Sequence, residues 1–204
     1  MCGGEGSRLE SRHEKPLHPI AGVPMVDRVR EALASSRVET VYAAVSPNAP
    51  GTRAHLEQTA AGVPDAGRDT DPVTVIETPG EGYVADLLAL LERPEIEPPV
   101  LSVAADLPLL EAPVIDRVLA RQGADPASRT VCVPVALKRR LGVSVDATLE
   151  SRDHLAPTGV NVVGTTDESM TAVSYDTRLA INVNRLTDAQ LADEHLERGD
   201  RRCA

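Results

Sequence analysis

Short, nearly continuous apolar segments alternate along the chain with segments that are apolar at helical spacing. The first kind is rich in β-branched residues, which is typical of strands buried on both faces of a parallel sheet. The predicted strands are 40–45, 73–78, 100–104 and 130–135. The predicted amphipathic helices are 24–35, 52–61, 82–92, 111–122 and 187–197. This alternation predicts βαβ units.

The last third of the chain has a different pattern. Three extended segments, 159–163, 171–175 and 179–183, follow one another without a helix-length gap. They predict antiparallel strands beside the parallel ones, as in many mixed sheets. We therefore expect one α/β domain over 1–204, a mixed and mostly parallel sheet flanked by helices. A surface loop is predicted at 61–72 and a flexible tail at 198–204.

Composition narrows the class of protein. The 204 residues carry 31 Asp and Glu against 21 Lys and Arg, and only Lys15 and Lys138 are lysines. An acidic chain with three Tyr and no Phe or Trp is a poor binder of nucleic acid. The absence of a secretory signal and of a run of about 18 apolar residues favours a cytoplasmic protein without a membrane span. The carboxylate excess favours a halophilic source, because salt screens self-repulsion.

A glycine-rich segment at 3–8 carries the strongest chemical signal. Its glycines allow the backbone to approach a polyphosphate closely with amide groups directed at phosphate oxygens. The following serine adds a hydroxyl donor, and two cations can neutralise phosphate charge. The alternative is an ordinary glycine turn. The candidate nucleotide-binding residues here are Gly3, Gly4, Gly6, Ser7, Arg8 and Lys15.

Such a turn normally follows a strand, yet only Met1 and Cys2 precede it. Either the first strand is absent or translation starts a few codons upstream, and we favour the second interpretation. Detection of Met1 or Cys2 as the mature N-terminus by mass spectrometry would contradict it.

Other candidate residues follow predicted strands. Asp106 ends an apolar strand, where a carboxylate is costly unless it meets a cation such as Mg²⁺; a helix cap is the alternative. The carboxyl ends of strands in open α/β sheets bind ligands, which makes Ser46, Asn48, Gly80 and Gly82 candidate nucleotide contacts. The candidate acceptor contacts are Tyr83, Thr158 and Asn161, with core packing or turn chemistry as the alternative.

The motif G-G-x-G-S-R-L followed by K-P resembles the N-terminal motif of nucleotidyltransferases with a GT-A, Rossmann-like fold. The order S-P-N-x-P, G-x-G-Y, A-A-D-L and I-N-V-N is similar to archaeal GTP:adenosylcobinamide-phosphate guanylyltransferases. The resemblance covers roughly 3–184. It implies transfer of GMP from GTP to adenosylcobinamide phosphate, which gives adenosylcobinamide-GDP and pyrophosphate in cobalamin nucleotide-loop biosynthesis.

The resemblance also implies roles for individual residues. Arg8, Lys15 and Asp106 would be catalytic, and Asp106 with Asn182 would bind Mg²⁺. Alternation along a strand would place Asn182 and Asn184 on one face, and we select Asn182 as the ligand with Asn184 as its neighbour. Hydrogen bonding within a turn is the alternative for both asparagines.

Three alternatives stay open at this point. The first is another cofactor guanylyltransferase, acting on molybdopterin or phospholactate, and the second is a sugar-phosphate nucleotidyltransferase. The third is a nucleotide-binding regulatory module without turnover, which the intact Arg8, Lys15 and Asp106 disfavour. A homodimer is one option for the assembly. The basic triplet 138–140 is interpreted as solvated surface, with a contact to an acceptor phosphate as the alternative.

Overall fold

The structure is a computed structural model that describes residues 1–2, 9, 11–61 and 73–203. The strands are β1 (Pro19–Ile20), β2 (Val23–Pro24), β3 (Tyr42–Val45), β4 (Thr74–Glu77), β5 (Val100–Val103), β6 (Ser128–Pro134), β7 (Leu155–Val163) and β8 (Ser169–Val173). The helices are α1 (Met25–Ala34), α2 (Pro50–Ala61), α3 (Tyr83–Leu91), α4 (Ala112–Gln122), α5 (Val135–Leu141), α6 (Thr177–Ala180) and α7 (Leu186–Cys203). A short 3₁₀ helix covers Lys15–Leu17.

The strand pairing is mixed, as the sequence predicts, but it is not mostly parallel, and β1 and β2 form a separate antiparallel pair. β3 and β4 are parallel, and a second group has the order β5-β7-β6-β8. Within that group β7 is antiparallel to β5 and β6, whereas β8 is parallel to β6. The predicted antiparallel addition in the last third is therefore confirmed for β7, but it is wrong for 171–175, because β8 pairs parallel to β6.

Met1 and Cys2 connect the two groups of strands. The Met1 amino group donates to the Val103 carbonyl at 3.0 Å, and Cys2 N donates to the Ala44 carbonyl at 2.8 Å. Cys2 forms an isolated parallel bridge with Val45. A cavity of about 560 Å³ adjoins Met1 and Cys2, lined by β3, β5, α1 and α3. The upstream start inferred from the sequence stays a prediction.

The core lies where α1 and α4 cover the second group of strands. Ile115 of α4 packs with Val133 of β6 and Val160 of β7, and all three are almost fully buried. Burying such side chains stabilises the fold by about 1.5–3 kcal/mol each. The apolar face predicted for α4, with Val114, Ile115 and Val118, is the face that meets this core.

The second half of the chain differs from the predicted elements at three further places. The predicted strand 179–183 is replaced by α6 and an extended connection, because Asp176 caps a helical turn by accepting from Arg178 N at 3.0 Å. The residues 135–141 form α5, which was not predicted because the apolar pattern of 130–135 indicates a strand up to its first residue. α7 continues to Cys203, past the predicted boundary at 197.

The predicted surface loop 61–72 lies outside the described residues, apart from Ala61 at the end of α2. Among the residues that the structure describes, no helix combines the length and the apolar character that crossing a membrane requires.

Candidate active site

Lys15, Asp106 and Asn184 meet at one point although they lie far apart in the sequence. Lys15 Nζ donates to Asp106 Oδ2 at 2.7 Å and to Asn184 Oδ1 at 2.6 Å. The side chains of Lys15 and Asp106 are each 17% exposed, so the pair lies at the border between core and solvent. We call these three residues the open cluster.

The two oxygens of the Asp106 carboxylate differ in their contacts, since only Oδ2 accepts from Lys15. Asp106 follows β5, and its carbonyl accepts from Val183 N at 3.0 Å. Its Oδ1 is buried and has no hydrogen-bond partner among the described residues. The alternative of a helix cap does not hold, because Glu111 occupies the cap position of α4. A buried, unpartnered carboxylate oxygen is costly unless a ligand or a cation meets it.

Glu14 holds the segment that carries Lys15. Its carboxylate accepts from Gly51 N, Thr52 N and Thr52 Oγ1, each at 2.7 Å, at the first turn of α2. Burial acts to raise the pKa of Glu14, but these hydrogen bonds outweigh it and leave the pKa lowered. The sequence analysis missed Glu14, since its partners lie 37 and 38 positions away.

The two asparagines of the late segment face different partners. Asn184 belongs to the open cluster. Asn182 is buried, its Oδ1 accepts from Lys138 Nζ at 2.9 Å, and its Nδ2 donates to the Thr158 carbonyl at 2.7 Å. The premise that alternation places both asparagines on one face is wrong, because 181–184 is not a paired strand.

Lys138 is buried with 4% of its surface exposed, whereas its neighbours Arg139 and Arg140 are exposed. Solvated surface therefore describes the two arginines only. Lys138 Nζ also donates to the Ala180 carbonyl at 3.0 Å. Burial lowers the pKa of Lys138, and the charges of Asp188, Asp106 and Asp146 oppose that shift.

Asp188 is fully buried and fixes the start of α7. Its carboxylate accepts from Asn184 N at 3.1 Å, Arg185 N at 3.0 Å, and from the amide and hydroxyl of Ser144 at 2.9 and 2.8 Å. We call Lys138, Asn182 and Asp188 the buried cluster. Asp188 accepts from the backbone of the segment that carries Asn184, and Lys138 donates to the Asn182 side chain of the same segment.

The two predicted nucleotide loops lie against each other. A Cβ placed on Gly80 would lie 2.7 Å from Ser46 Oγ, so only glycine allows this approach, and its φ of +77° also favours glycine. Ser46 Oγ accepts from Asn48 N at 3.1 Å, and Gly82 precedes the first turn of α3. The buried Thr78 hydroxyl beside them has no hydrogen-bond partner among the described residues, and sequence reasoning missed it.

Two of the three predicted acceptor residues come together. Asn161 Nδ2 donates to the Tyr83 hydroxyl at 2.8 Å, and the Tyr83 hydroxyl lies 3.1 Å from Ser102 Oγ. Tyr83 is 40% exposed, so its ring does not lie in the core. Thr158 is fully buried and donates to the Val131 carbonyl at 2.9 Å, inside the sheet.

The remaining predicted phosphate contacts lie outside the described residues. They are Gly3, Gly4, Gly6, Ser7 and Arg8. On either side of them, Cys2 and Leu9 are buried. Burial raises the pKa of the Cys2 thiol, which agrees with a packing residue rather than a reactive one.

Solved structures share this fold. A CMP:2-keto-3-deoxy-manno-octonic acid synthetase in complex with CTP is similar with a TM-score of 0.62 and 12% identity, over 94% of this chain and 96% of that chain. A hypothetical transferase from Thermus thermophilus is similar with a TM-score of 0.61 and 17% identity, over 93% and 96% of the two chains. The fold is therefore the Rossmann-like α/β type that nucleotidyltransferases use.

The family follows from the sequence profile. The MobA-like NTP transferase domain matches residues 1–201, and the chain belongs to that family. An adenosylcobinamide-phosphate guanylyltransferase of Methanocaldococcus jannaschii is 28% identical over 97% of this chain and 96% of its own length. A bifunctional GlmU protein of Bifidobacterium longum subsp. infantis is 29% identical, over 66% of this chain and 28% of its own length.

Proposed function

We propose that this protein transfers GMP from GTP to adenosylcobinamide phosphate and releases pyrophosphate. The observation that carries the proposal is the end-to-end similarity to the Methanocaldococcus jannaschii guanylyltransferase, over 97% of this chain. The convergence of Lys15, Asp106 and Asn184 supports it, because a transferase of this kind needs a cation and oxygen ligands beside the reacting phosphates.

The chemistry is an in-line attack by an acceptor phosphate oxygen on the α-phosphorus of GTP. A bond from that oxygen to phosphorus forms, and the bond from phosphorus to the β-phosphate oxygen breaks. The nucleophile is already an anion near pH 7, so no general base is required. Catalysis rests on positioning and on charge stabilisation.

Each part of the site has a role in this proposal. Lys15 would stabilise the charge that develops on the transferred and leaving phosphates, and Arg8 would act beside it. The contacting loops that contain Ser46 and Gly80 would hold the nucleoside. Tyr83 and Asn161 would contact the acceptor. The amides that would hold the phosphates belong to Gly3, Gly4, Gly6 and Ser7.

The open cluster also fits a divalent cation. Asp106 Oδ1 is buried without a partner among the described residues, and oxygen donors of carboxylates and amides suit Mg²⁺. When bound, Mg²⁺ would neutralise phosphate charge. Asp106 would hold it with Asn184, whose Oδ1 would exchange its hydrogen bond from Lys15 for the cation. Asn182 is less suited, because it is buried and both of its side-chain polar atoms are paired, with Lys138 and with the Thr158 carbonyl.

The deciding experiment is an acceptor panel with pyrophosphate release as the readout. The purified protein is given GTP and Mg²⁺ with cobinamide phosphate, molybdopterin, phospholactate or a sugar 1-phosphate, at molar KCl and at low salt. We expect release with cobinamide phosphate only. Release with another acceptor only would replace the proposed substrate, and binding of GTP without release with any acceptor would favour a regulatory module.

The nucleotide is tested in the same assay. ATP, CTP and UTP replace GTP at equal concentration with cobinamide phosphate as acceptor. We expect GTP to give the highest kcat/KM. Equal kcat/KM for ATP and GTP would contradict the guanine preference while leaving the family intact.

A further inference from the structure

Both lysines of the chain contact the same short segment. Of 21 Lys and Arg residues, 19 are arginines, and the two exceptions are Lys15 and Lys138. Lys15 Nζ donates to the side chain of Asn184, and Lys138 Nζ donates to the side chain of Asn182. A chain that uses arginine almost everywhere thus has lysine at the two places where, among the described residues, a cation donates to an asparagine of this segment.

The chemistry of the two cations explains the exception. Lysine ends in a compact ammonium with three donors, whereas arginine ends in a planar fork of five donors. Lys138 Nζ lies between two acceptors, the Ala180 carbonyl at 3.0 Å and Asn182 Oδ1 at 2.9 Å, in a buried space. A guanidinium would bring further donors into that space without acceptors for them.

Lys138 connects to the open cluster through hydrogen bonds and covalent bonds. Asn182 is held on one side by Lys138 and on the other by the Thr158 carbonyl. Val183 N then donates to the Asp106 carbonyl, and Asn184 follows with its side chain on Lys15. A displacement of Asn182 would therefore be passed on to Asn184 and to the Asp106 backbone.

We propose that Lys138 is a positioning residue that sets the distance between Asn184 and Asp106 by holding Asn182 and the Ala180 carbonyl. The inference rests on the proposed function, since it assigns the two positioned oxygens to a divalent cation. Partners behind metal ligands are worth about 10- to 100-fold in affinity or activity. Lys138 itself contacts neither substrate nor metal in this proposal.

The test compares Lys138→Met with Arg121→Met, which removes one exposed arginine of α4 and so matches the change in charge. We expect Lys138→Met to raise the Mg²⁺ concentration for half-maximal activity about 10-fold, with the KM for GTP at saturating Mg²⁺ changed less than 3-fold. Mn²⁺ binding by electron paramagnetic resonance, with GTP and without acceptor, should weaken by a similar factor. Arg121→Met should match wild type in both readouts.

A double variant tests the route of the effect. If Lys138 acts through Asn182, Lys138→Met combined with Asn182→Ala should weaken Mn²⁺ binding no more than Asn182→Ala alone. The proposal would be overturned if the losses of Mn²⁺ affinity in the two single variants multiplied in the double variant. It would also be overturned if Lys138→Met folded and bound Mn²⁺ as the wild type does. If Lys138→Met does not fold, Asn182→Ala decides, and wild-type Mn²⁺ binding by it would overturn the proposal as well.

The failure of this inference can be distinguished from a failure of the proposed function. Mn²⁺ binding is measured without acceptor, so a different acceptor in the panel would leave the result valid. A wild-type protein that binds no Mn²⁺ with GTP would overturn both the metal role of Asp106 and the positioning role of Lys138.

Discussion

The open cluster and the buried cluster hold the same segment, 181–184, in different surroundings. Lys15 and Asp106 are each 17% exposed, and Asp106 Oδ1 lacks a partner among the described residues. In the buried cluster, Lys138, Asn182 and Asp188 are 4%, 7% and 0% exposed, and each makes at least two hydrogen bonds. The open cluster therefore contains an acceptor without a hydrogen-bond partner among the described residues, whereas every member of the buried cluster is hydrogen-bonded.

This difference separates two roles. The Lys15–Asp106 pair is largely buried and leaves Asp106 Oδ1 without a partner among the described residues, so the cost of desolvation offsets much of its attraction. We therefore expect the open cluster to tolerate substitution without unfolding of the protein. A buried and hydrogen-bonded charge leaves its partners without compensation when it is removed. We therefore expect turnover to depend directly on the open cluster, and both stability and turnover to depend on the buried cluster.

Dilution of salt should have the largest effect, because it acts on the charge of the whole chain. The net charge is -10, and self-repulsion in such a chain grows as salt is removed. We expect the protein to lose structure between molar and millimolar KCl, with loss of helical circular dichroism. A fold that stays unchanged at millimolar KCl would contradict the halophilic interpretation.

Removal of a side chain from the open cluster should have the next largest effect. Lys15→Ala and Asp106→Ala should each lower kcat about 100- to 1000-fold, the size seen when one stabilising group is lost. The unfolding midpoint should stay close to wild type, since the pair already bears the cost of an unpartnered buried oxygen on Asp106. Pyrophosphate release measures the first effect and thermal circular dichroism the second.

The control for these two variants is Arg198→Ala, which breaks an exposed ion pair with Glu194 on α7. It should leave turnover within about 2-fold of wild type. Near-normal turnover in Lys15→Ala or Asp106→Ala would remove the open cluster from the proposed mechanism.

Loss of a carboxylate from the buried cluster should shift stability first. Asp188→Ala leaves the amides of Ser144, Asn184 and Arg185 without their acceptor. We expect the free energy of unfolding to fall by about 3 kcal/mol, measured by urea titration at molar KCl. Asp153→Ala, at a carboxylate that is 97% exposed, is the matched control. Equal urea midpoints for the two variants would remove the distinction between the clusters.

Substitution of Gly80, away from both clusters, should have the smallest effect. Gly80→Ala places a Cβ 2.7 Å from Ser46 Oγ and strains a left-handed backbone, at a cost of about 1–3 kcal/mol. The KM for GTP should rise several-fold with kcat nearly unchanged.

Gly22→Ala provides the comparison for Gly80. Gly22 has nearly the same φ, +76°, but nothing lies within 4 Å of its added Cβ. The Gly22→Ala variant should therefore lose stability through its left-handed backbone but keep the wild-type KM for GTP. If both variants raise the KM equally, the contact between the two loops has no role in nucleotide binding.

Local patterns were enough for most of the elements. The apolar spacing of 111–122 predicts α4, and the same residues Val114, Ile115 and Val118 are buried in the core. The prediction failed for 179–183, where the apolar residues are buried in a helical turn and an extended connection. Burial alone does not distinguish these from a strand, and the cap made by Asp176 decides.

The sequence by itself determined which residue types are available to the site. The glycine-rich segment, Lys15, Asp106 and the two late asparagines were all visible as candidates. Their types indicate phosphate and metal chemistry because cations and oxygen donors are what such ligands need. The glycine-rich motif followed by K-P also determined the resemblance to nucleotidyltransferases, which the family match over residues 1–201 confirms.

Only the tertiary structure decided which candidates meet. The contacts of Lys15 with Asp106 and Asn184 span 91 and 169 positions, and that of Lys138 with Asn182 spans 44. No local periodicity encodes contacts at such separations in sequence, because these contacts form only when strands and connections from separate parts of the chain pack together. For the same reason the burial of Lys138, and the separation of Asn182 from Asn184, emerged only in the folded chain.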